Sequence, residues 1–371
     1  MCEERGSAEL AGINRIVIKI GTNLLSKNHA VDTDYLRGMT GQIAGLLRAG
    51  KKILIVTSGA VGMGAGELGI TEKITSVKMR QACASIGQPL LMKEYKELFA
   101  EYGIHTAQIL LTREVLSNRK SYLNLRGSVE TLLSLGVVPV FNENDSISTA
   151  EIGNAFGDND RLSALIASKV DAGLLILLTD IDALYDANPR ENPGAKPIRL
   201  VSLVTDEILA YAGAAGSAFS TGGMKTKVLA AQIAGRAGCR MVLAHGREEN
   251  VLERILAGEE IGTLFLAQEK LTNRERWILH STSQGTITVD EGAISAMRRH
   301  KSLLPSGIHE VTGVFAAGDV VAVNDAAKIV TGLSSAEIKS LMGRHSSEIR
   351  KMLGEAKRDV VARPEDIVFL S

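Results

Sequence analysis

Lys19 stands where a lysine is expensive. It lies inside the apolar run Arg15-Ile-Val-Ile-Lys-Ile20, whose β-branched residues read as a strand buried on both faces. An ammonium group there must find a partner or reach water. It is either a lysine snorkelling from the strand's end or a fixed cation facing an anion, with Gly21 and Thr22 as close donors. A second lysine-bearing loop, Ser220-Thr-Gly-Gly-Met-Lys-Thr-Lys227, opens a helix expected to run through Ala237. Glycines, hydroxyls and lysines at a helix N-terminus suit a phosphate, although two solvated lysines would look the same. No G-x-x-x-x-G-K-[ST] spacing occurs, so this is not a Walker A loop.

Polar residues cluster at other strand ends. Phe141-Asn-Glu-Asn-Asp145 closes one apolar run and could form an Asx-turn or receive an ammonium group. Asp158, Asn159 and Asp160 precede a helix expected from Arg161 to Val170. Any one of them could cap it, but three stand in a row, and an extra carboxylate could orient a lysine or a metal. Asp180, Asp182 and Asp186 follow the most apolar run, and Ser58-Gly59 follows Lys52-Ile-Leu-Ile-Val-Thr57. A hydroxyl and bare amides at Ser58 could hold a carboxylate or a phosphate. Gly64, Gly66 and Gly69 match the spacing of a dinucleotide fingerprint, but the first glycine lies well past the strand end and no acid follows at the right distance. Glycines for a tight turn and close helix packing explain them better. The seven histidines are scattered, with no serine–histidine–acid set and no metal-ligand cluster among them. Cations and helix amides without an evident base suit phosphoryl transfer.

These loops need a scaffold, and the pattern supplies one. Short apolar runs at 15–20, 52–57, 106–111, 137–141, 174–179 and 240–244 alternate with amphipathic stretches such as Tyr35–Ala49. That alternation predicts an α/β domain with a largely parallel sheet, whose ligands bind beyond the strands' carboxyl ends. After about Leu266 the pattern changes. Ala267–Arg276 reads as a polar linker. Beyond it, short segments at 285–290, 313–323 and 328–331 read as a small β-rich module, with Ser334 and Glu337 forming a capping box.

Composition narrows the classes. The chain has 371 residues, enough for two domains. Lys+Arg and Asp+Glu both number 42, so no net field draws it to nucleic acid or an anionic membrane. Three isolated cysteines argue against a disulfide framework. The longest apolar run, near Ala172–Leu178, is far too short to span a bilayer. Met1–Leu10 lacks an apolar core, so it reads as a frayed tail rather than a signal peptide. A soluble cytoplasmic protein is expected.

Six stretches in order, Lys19–Thr22, Thr57–Ala60, Asn142–Asp145, Gly157–Asp160, Leu178–Asp180 and Thr221–Lys227, resemble the motifs of the amino acid kinase superfamily. Within it they look like the branch that phosphorylates the side-chain carboxylate of L-glutamate at the head of proline biosynthesis. The C-terminal module is similar to a PUA domain. The resemblance implies a three-layer αβα sandwich over 12–266 and a PUA-like domain over 276–364. It implies ATP and Mg²⁺ as cofactors, with no protein metal ligand assigned. Lys19, Lys227 and Asp160 are expected at the transferred phosphoryl group, with Asp160 holding the two lysines. Ser58, Asp145 and Asn159 are expected around glutamate. Lys19, Thr179, Asp180, Thr221, Gly222, Gly223, Met224, Lys225, Thr226 and Lys227 are expected around the nucleotide. Asn23 departs from the family, where serine is frequent, and so does the stretch 214–220. The family further implies proline as feedback inhibitor, glutamyl phosphate reductase as partner and a homo-oligomer. A rival reading is a catalytically silent fold that binds RNA through its tail. The tail from Glu275 onward carries about 12 basic and about 12 acidic residues, without the basic excess of a nucleic-acid footprint. Kinases of acetylglutamate, aspartate or uridylate on the same fold are the enzyme rivals. Asp145 favours a free α-amino group.

Overall fold

The computed structural model describes residues 9–10, 12–27, 30–72, 74–112, 115–116, 118–147, 159–214, 223–344 and 360–370. The chain divides into two compact units: Met1–Leu116 with Lys120–Lys270, and Leu271–Ser371 with Ser117–Arg119. The first is built on eight strands: β1 (Arg15–Ile20), β2 (Lys52–Val56), β3 (Thr106–Leu111), β4 (Val138–Glu143), β5 (Leu174–Thr179), β6 (Leu200–Val201), β7 (Arg240–His245) and β8 (Thr263–Phe265). Their order is β6-β8-β7-β5-β1-β2-β4-β3. Every neighbouring pair is parallel except β7 with β8.

Strand parity sorts the core into two faces. Val17, Leu54, Val56, Phe141, Leu175, Leu177, Met241 and Leu243 pack with α4 (Arg119–Ser134), α5 (Asn159–Lys169), α6 (Asp206–Ala214) and α7 (Met224–Arg236). Ile16, Ile18, Ile53, Ile55, Val140, Ile176 and Val242 pack with α1 (Thr33–Arg48), α3 (Val77–Ala100) and α8 (Val251–Leu256). The result is the αβα sandwich that the resemblance implies, on the largely parallel sheet that the alternation of runs and amphipathic stretches predicts. All six expected strands form. Two details differ. β3 lies at the sheet's edge, so most of its residues are only half-buried. β4 continues past Phe141 because Asn142 and Glu143 stay paired with Leu110 and Leu111. Two residues expected in a loop are therefore strand residues, and both are buried.

The glycines after β2 serve packing rather than dinucleotide binding. Gly59, at φ +95°, turns the chain into α2 (Ala60–Glu67). Gly64 then faces Gly87 of α3. A methyl group at Gly64 would stand 1.8 Å from the Cys83 carbonyl oxygen, and one at Gly87 would stand 1.9 Å from that of Ala60. The two helices touch through bare backbone.

The residues near the start are not all frayed. Leu10 is buried and Glu9 pairs with Arg240 at 2.7 Å, while 1–8 lie outside the described residues. Nor is 267–276 an unstructured linker. The Gln268 N–H donates to the Gly235 carbonyl, and α9 (Asn273–His280) opens within it on a capping box of Thr272 and Glu275. The polar composition there belongs to a helix start. The second unit holds a five-stranded sheet of β9 (Gly285–Val289), β10 (Ile308–Gly313), β11 (Val320–Val323), β12 (Ala327–Val330) and β13 (Ile367–Phe369), ordered β10-β9-β11-β12-β13. The run 313–323 is split, with only its last four residues in β11. The expected capping box at Ser334 and Glu337 is present.

Gly87→Ala should destabilise the protein by about 3 kcal/mol or more, since backbone cannot yield to a methyl group. Gly62→Ala, on the same α2 helix with open space at its Cα, should stabilise by about 0.5–1 kcal/mol. Thermal unfolding of the two variants checks the pair; equal shifts would remove the helix contact as the reason for the glycines.

Candidate active site

The parity of β1 decides where Lys19 goes. It shares its face with Val17, so its side chain leaves the sheet toward α5 and α7. Both helices present their first turns at the strands' carboxyl ends: Asp160 opens α5 and Lys227 lies one turn into α7. Lys19 Nζ forms an ion pair with Asp160 Oδ1 at 2.6 Å, and Lys227 Nζ lies 3.0 Å from Oδ2. Thr226 Oγ1 donates to Oδ2 at 3.1 Å. Lys19 and Lys227 are each 2% exposed and Asp160 is 0%. Lys19 therefore does not snorkel. Asp160 is not serving as a simple cap, for its carboxylate lies between the two ammonium groups.

Gly21 gives this trio its room. A methyl group there would press to 3.2 Å on the Leu178 carbonyl and stand 3.7 Å from Lys19 Nζ. One carboxylate thus bridges two ammonium groups in a dry place. Such a site attracts an anion more strongly than the same charges in water.

On the other side of the strand ends runs a chain of amides. Asn159 Nδ2 donates to the Thr57 carbonyl at 2.6 Å and to Asn142 Oδ1 at 2.8 Å. The Glu143 N–H donates to the same Asn142 oxygen at 3.0 Å. Asn142 Nδ2 donates to Gln88 Oε1 at 2.7 Å. Thr57 is held in turn by the Tyr95 hydroxyl at 3.1 Å. Ser58 Oγ donates to the Ile20 carbonyl at 2.8 Å, tying the ends of β1 and β2. Its lone pairs and backbone N–H are what it retains for a ligand. Asp145 is half-buried. Burial pushes its pKa above the ordinary carboxylate value, and the charge of Arg80 only partly opposes this. Asn142 belongs to a motif the sequence points to, though not as a named ligand. Gln88 lies in a long helix with no local signal at all.

The nucleotide side is described in part. Thr179 is buried and its hydroxyl donates to Asp180 Oδ1 at 3.0 Å. Asn23 Nδ2 donates to Asp180 Oδ2 at 2.8 Å, so the asparagine that departs from the family acts as a donor to this carboxylate. Partial burial would raise the Asp180 pKa, but the donors Asn23 and Thr179 and the charge of Lys227 outweigh it and hold it below the usual range. Asp182 accepts from the Tyr185 hydroxyl, and Asp186 from the Lys196 N–H, so these two acids serve their own loop. Gly223 caps α7, Met224 is buried and Lys225 is exposed. Thr221, Gly222, Gly157 and Asp158 lie outside the described residues. Among the described residues no group of three His, Cys, Asp or Glu side chains could hold a metal ion.

Residues 14–245 match the amino acid kinase family and residues 285–353 match the PUA domain. The chain is 45% identical to the glutamate 5-kinase of Methanosarcina barkeri over 96% of its length and 97% of that protein. It is also 45% identical to the glutamate 5-kinase of Caldanaerobacter subterraneus subsp. tengcongensis, over 96% of this chain and 98% of that one. A carbamate kinase from Giardia lamblia bound to AMP-PNP shares the fold at 14% identity, covering 70% of this chain and all of that one with a TM-score of 0.51. On a family match over residues 14–245, which takes in seven of the sheet's eight strands, and on a relative aligned over 96% of the chain, the chain belongs to the amino acid kinase family.

Proposed function

We propose that this protein transfers the γ-phosphoryl group of ATP to the γ-carboxylate of L-glutamate, giving γ-glutamyl phosphate and ADP. The observation that carries the reading is the buried Lys19–Asp160–Lys227 bridge at the carboxyl ends of the strands. A glutamate side chain with a pKa of about 4.3 is already ionised at neutral pH, so no general base is needed. The obstacle is an anion approaching a polyanion. A carboxylate oxygen forms its bond to the γ-phosphorus as the bond to the β-phosphate oxygen breaks, and ADP leaves with that electron pair. Lys19 and Lys227 stand to neutralise the charge on the transferring group, and Asp160 keeps both ammonium groups in place.

For the amino acid, Asp145 and Asn159 Oδ1 are acceptors suited to an α-ammonium group, and the first-turn amides of α2 beside Ser58 are donors suited to an anion. Thr179, Asp180 and the residues from Gly223 to Lys227 fit the nucleotide. The donor set fits a magnesium ion carried on the nucleotide's phosphates, as that ion commonly is, because both Asp160 oxygens already face lysines. When bound, the ion would supply further charge neutralisation. The product is a reactive mixed anhydride, so direct consumption by a glutamyl phosphate reductase and feedback by proline belong to the same reading. So do a homo-oligomer and a cytoplasmic location; among the described residues no helix is long and apolar enough to cross a membrane.

Incubation with ATP, Mg²⁺, glutamate and hydroxylamine should give a hydroxamate; folded protein that yields none would refute the activity. Lys227→Ala should lower kcat at least about 100-fold yet unfold only slightly more easily, since Asp160 keeps Lys19 as its partner at 2.6 Å. Asp160→Ala should lose about 3–5 kcal/mol of stability, because it removes the carboxylate that both buried ammonium groups face. Equal stability losses would make the lysines structural.

Asp145→Asn should raise the glutamate KM and, at pH 7, the unfolding midpoint. The sign follows from the raised pKa in the fold. The penalty for an ionised, buried Asp145 is fully present above that pKa and disappears below the ordinary value of 3.8. The gain in midpoint should therefore fade as the pH is lowered; a gain that does not fade would locate its cause elsewhere.

A further inference from the structure

We infer that Gln88 is a positioning residue for the amino-acid substrate, acting through Asn142 on Asn159; the inference rests on the reading just given. The polarity of the amide chain is not a free choice. The Glu143 N–H can only donate, so Asn142 must turn its oxygen toward it. The Asn142 amide nitrogen then points to Gln88, which must offer Oε1. The same Asn142 oxygen accepts from Asn159 Nδ2, as does the Thr57 carbonyl. With its nitrogen engaged twice, Asn159 is left with Oδ1 as the acceptor for a ligand. Gln88 thus closes the far end of a chain whose near end presents an oxygen to an ammonium group.

Two further observations separate this from ordinary core packing. Gln88 is buried, and its Nε2 has no hydrogen-bond partner among the described residues. A buried amide nitrogen left unpaired is costly, so an apolar side chain would serve the fold better at this position. What glutamine adds is the oxygen. Ser85, three residues earlier on the same helix face, bonds the hydroxyl of Ser146 at 2.9 Å, directly beside Asp145. One face of α3 therefore reaches both parts of the ammonium site.

Gln88→Met keeps the shape and removes the amide. It should raise the glutamate KM roughly ten-fold, leave the ATP KM unchanged and shift the unfolding midpoint little. Gln88→Glu, which restores an accepting oxygen on a stem of equal length, should recover most of the glutamate KM. The inference is overturned if Gln88→Met leaves the glutamate KM unaltered or raises both KM values alike. It is also overturned if the midpoint falls by more than about 5 °C, or if Gln88→Glu recovers nothing. The wild-type enzyme run in parallel keeps the two claims apart. Its failure to phosphorylate glutamate would overturn the activity and this inference together, whereas normal wild-type turnover with an unaffected Gln88→Met overturns the inference alone.

Discussion

Asp160 holds two buried lysines with one carboxylate, and that bridge organises the site of the larger unit. A neutral pair would satisfy the interior but have little pull on a phosphate. Two unpaired cations would attract phosphate and break the fold. One carboxylate between two ammonium groups is the intermediate case: each lysine has a partner close by, and the positive charge of both is held at the strand ends. Because water is excluded, that charge is already in place before a ligand arrives, which is the condition under which fixed charges stabilise a transition state most effectively. The chemistry asks for nothing else of the protein in the way of proton transfer, since the accepting carboxylate comes ionised.

The sheet's topology explains why the trio can form. From β1 the chain builds outward through β2 and β4 on one side and through β5 and β7 on the other. β1 is therefore the switch point, where adjoining connections leave in opposite directions and a crevice opens beyond the strand ends. Lys19 and Gly21 sit at that crevice. The parity of β1 sends the lysine to the face covered by α5 and α7, whose first turns supply Asp160 and Lys227. The missing side chain at Gly21 keeps the approach to β5 open.

Much of this was legible in the residues themselves. A lysine in a run of isoleucines announces that it needs a partner, and a glycine–hydroxyl–lysine loop at a helix start announces an anion. Apolar runs that ignore parity announce a sheet covered on both sides. What could not be read follows from the same physics. β4 runs on through Asn142 and Glu143 because pairing with β3 outweighs their polar character, and pairing across strands leaves no local mark. The edge position of β3 depends on strand order, which its own sequence does not encode. The helix at Asn273 hides in a charged stretch because a capping box is itself polar. Gln88 resembles any glutamine on a helix until Asn142 is placed opposite it in three dimensions.

The two halves of the site are joined by two consecutive residues. The amide chain from Gln88 through Asn142 comes in from the face covered by α3, since Asn142 shares the parity of Val138 and Val140. The lysines come in from the face covered by α5 and α7. Asn159 ends the first system and Asp160 belongs to the second. One helical turn thus sets the distance between the acceptor for the amino acid and the cations for the phosphate. Neighbouring residues in a helix differ by a 1.5 Å rise and a fixed rotation, so that spacing is far stiffer than two loops could provide. In a reaction that depends on bringing two anions together in line, the geometry that must not vary has been assigned to a single peptide bond.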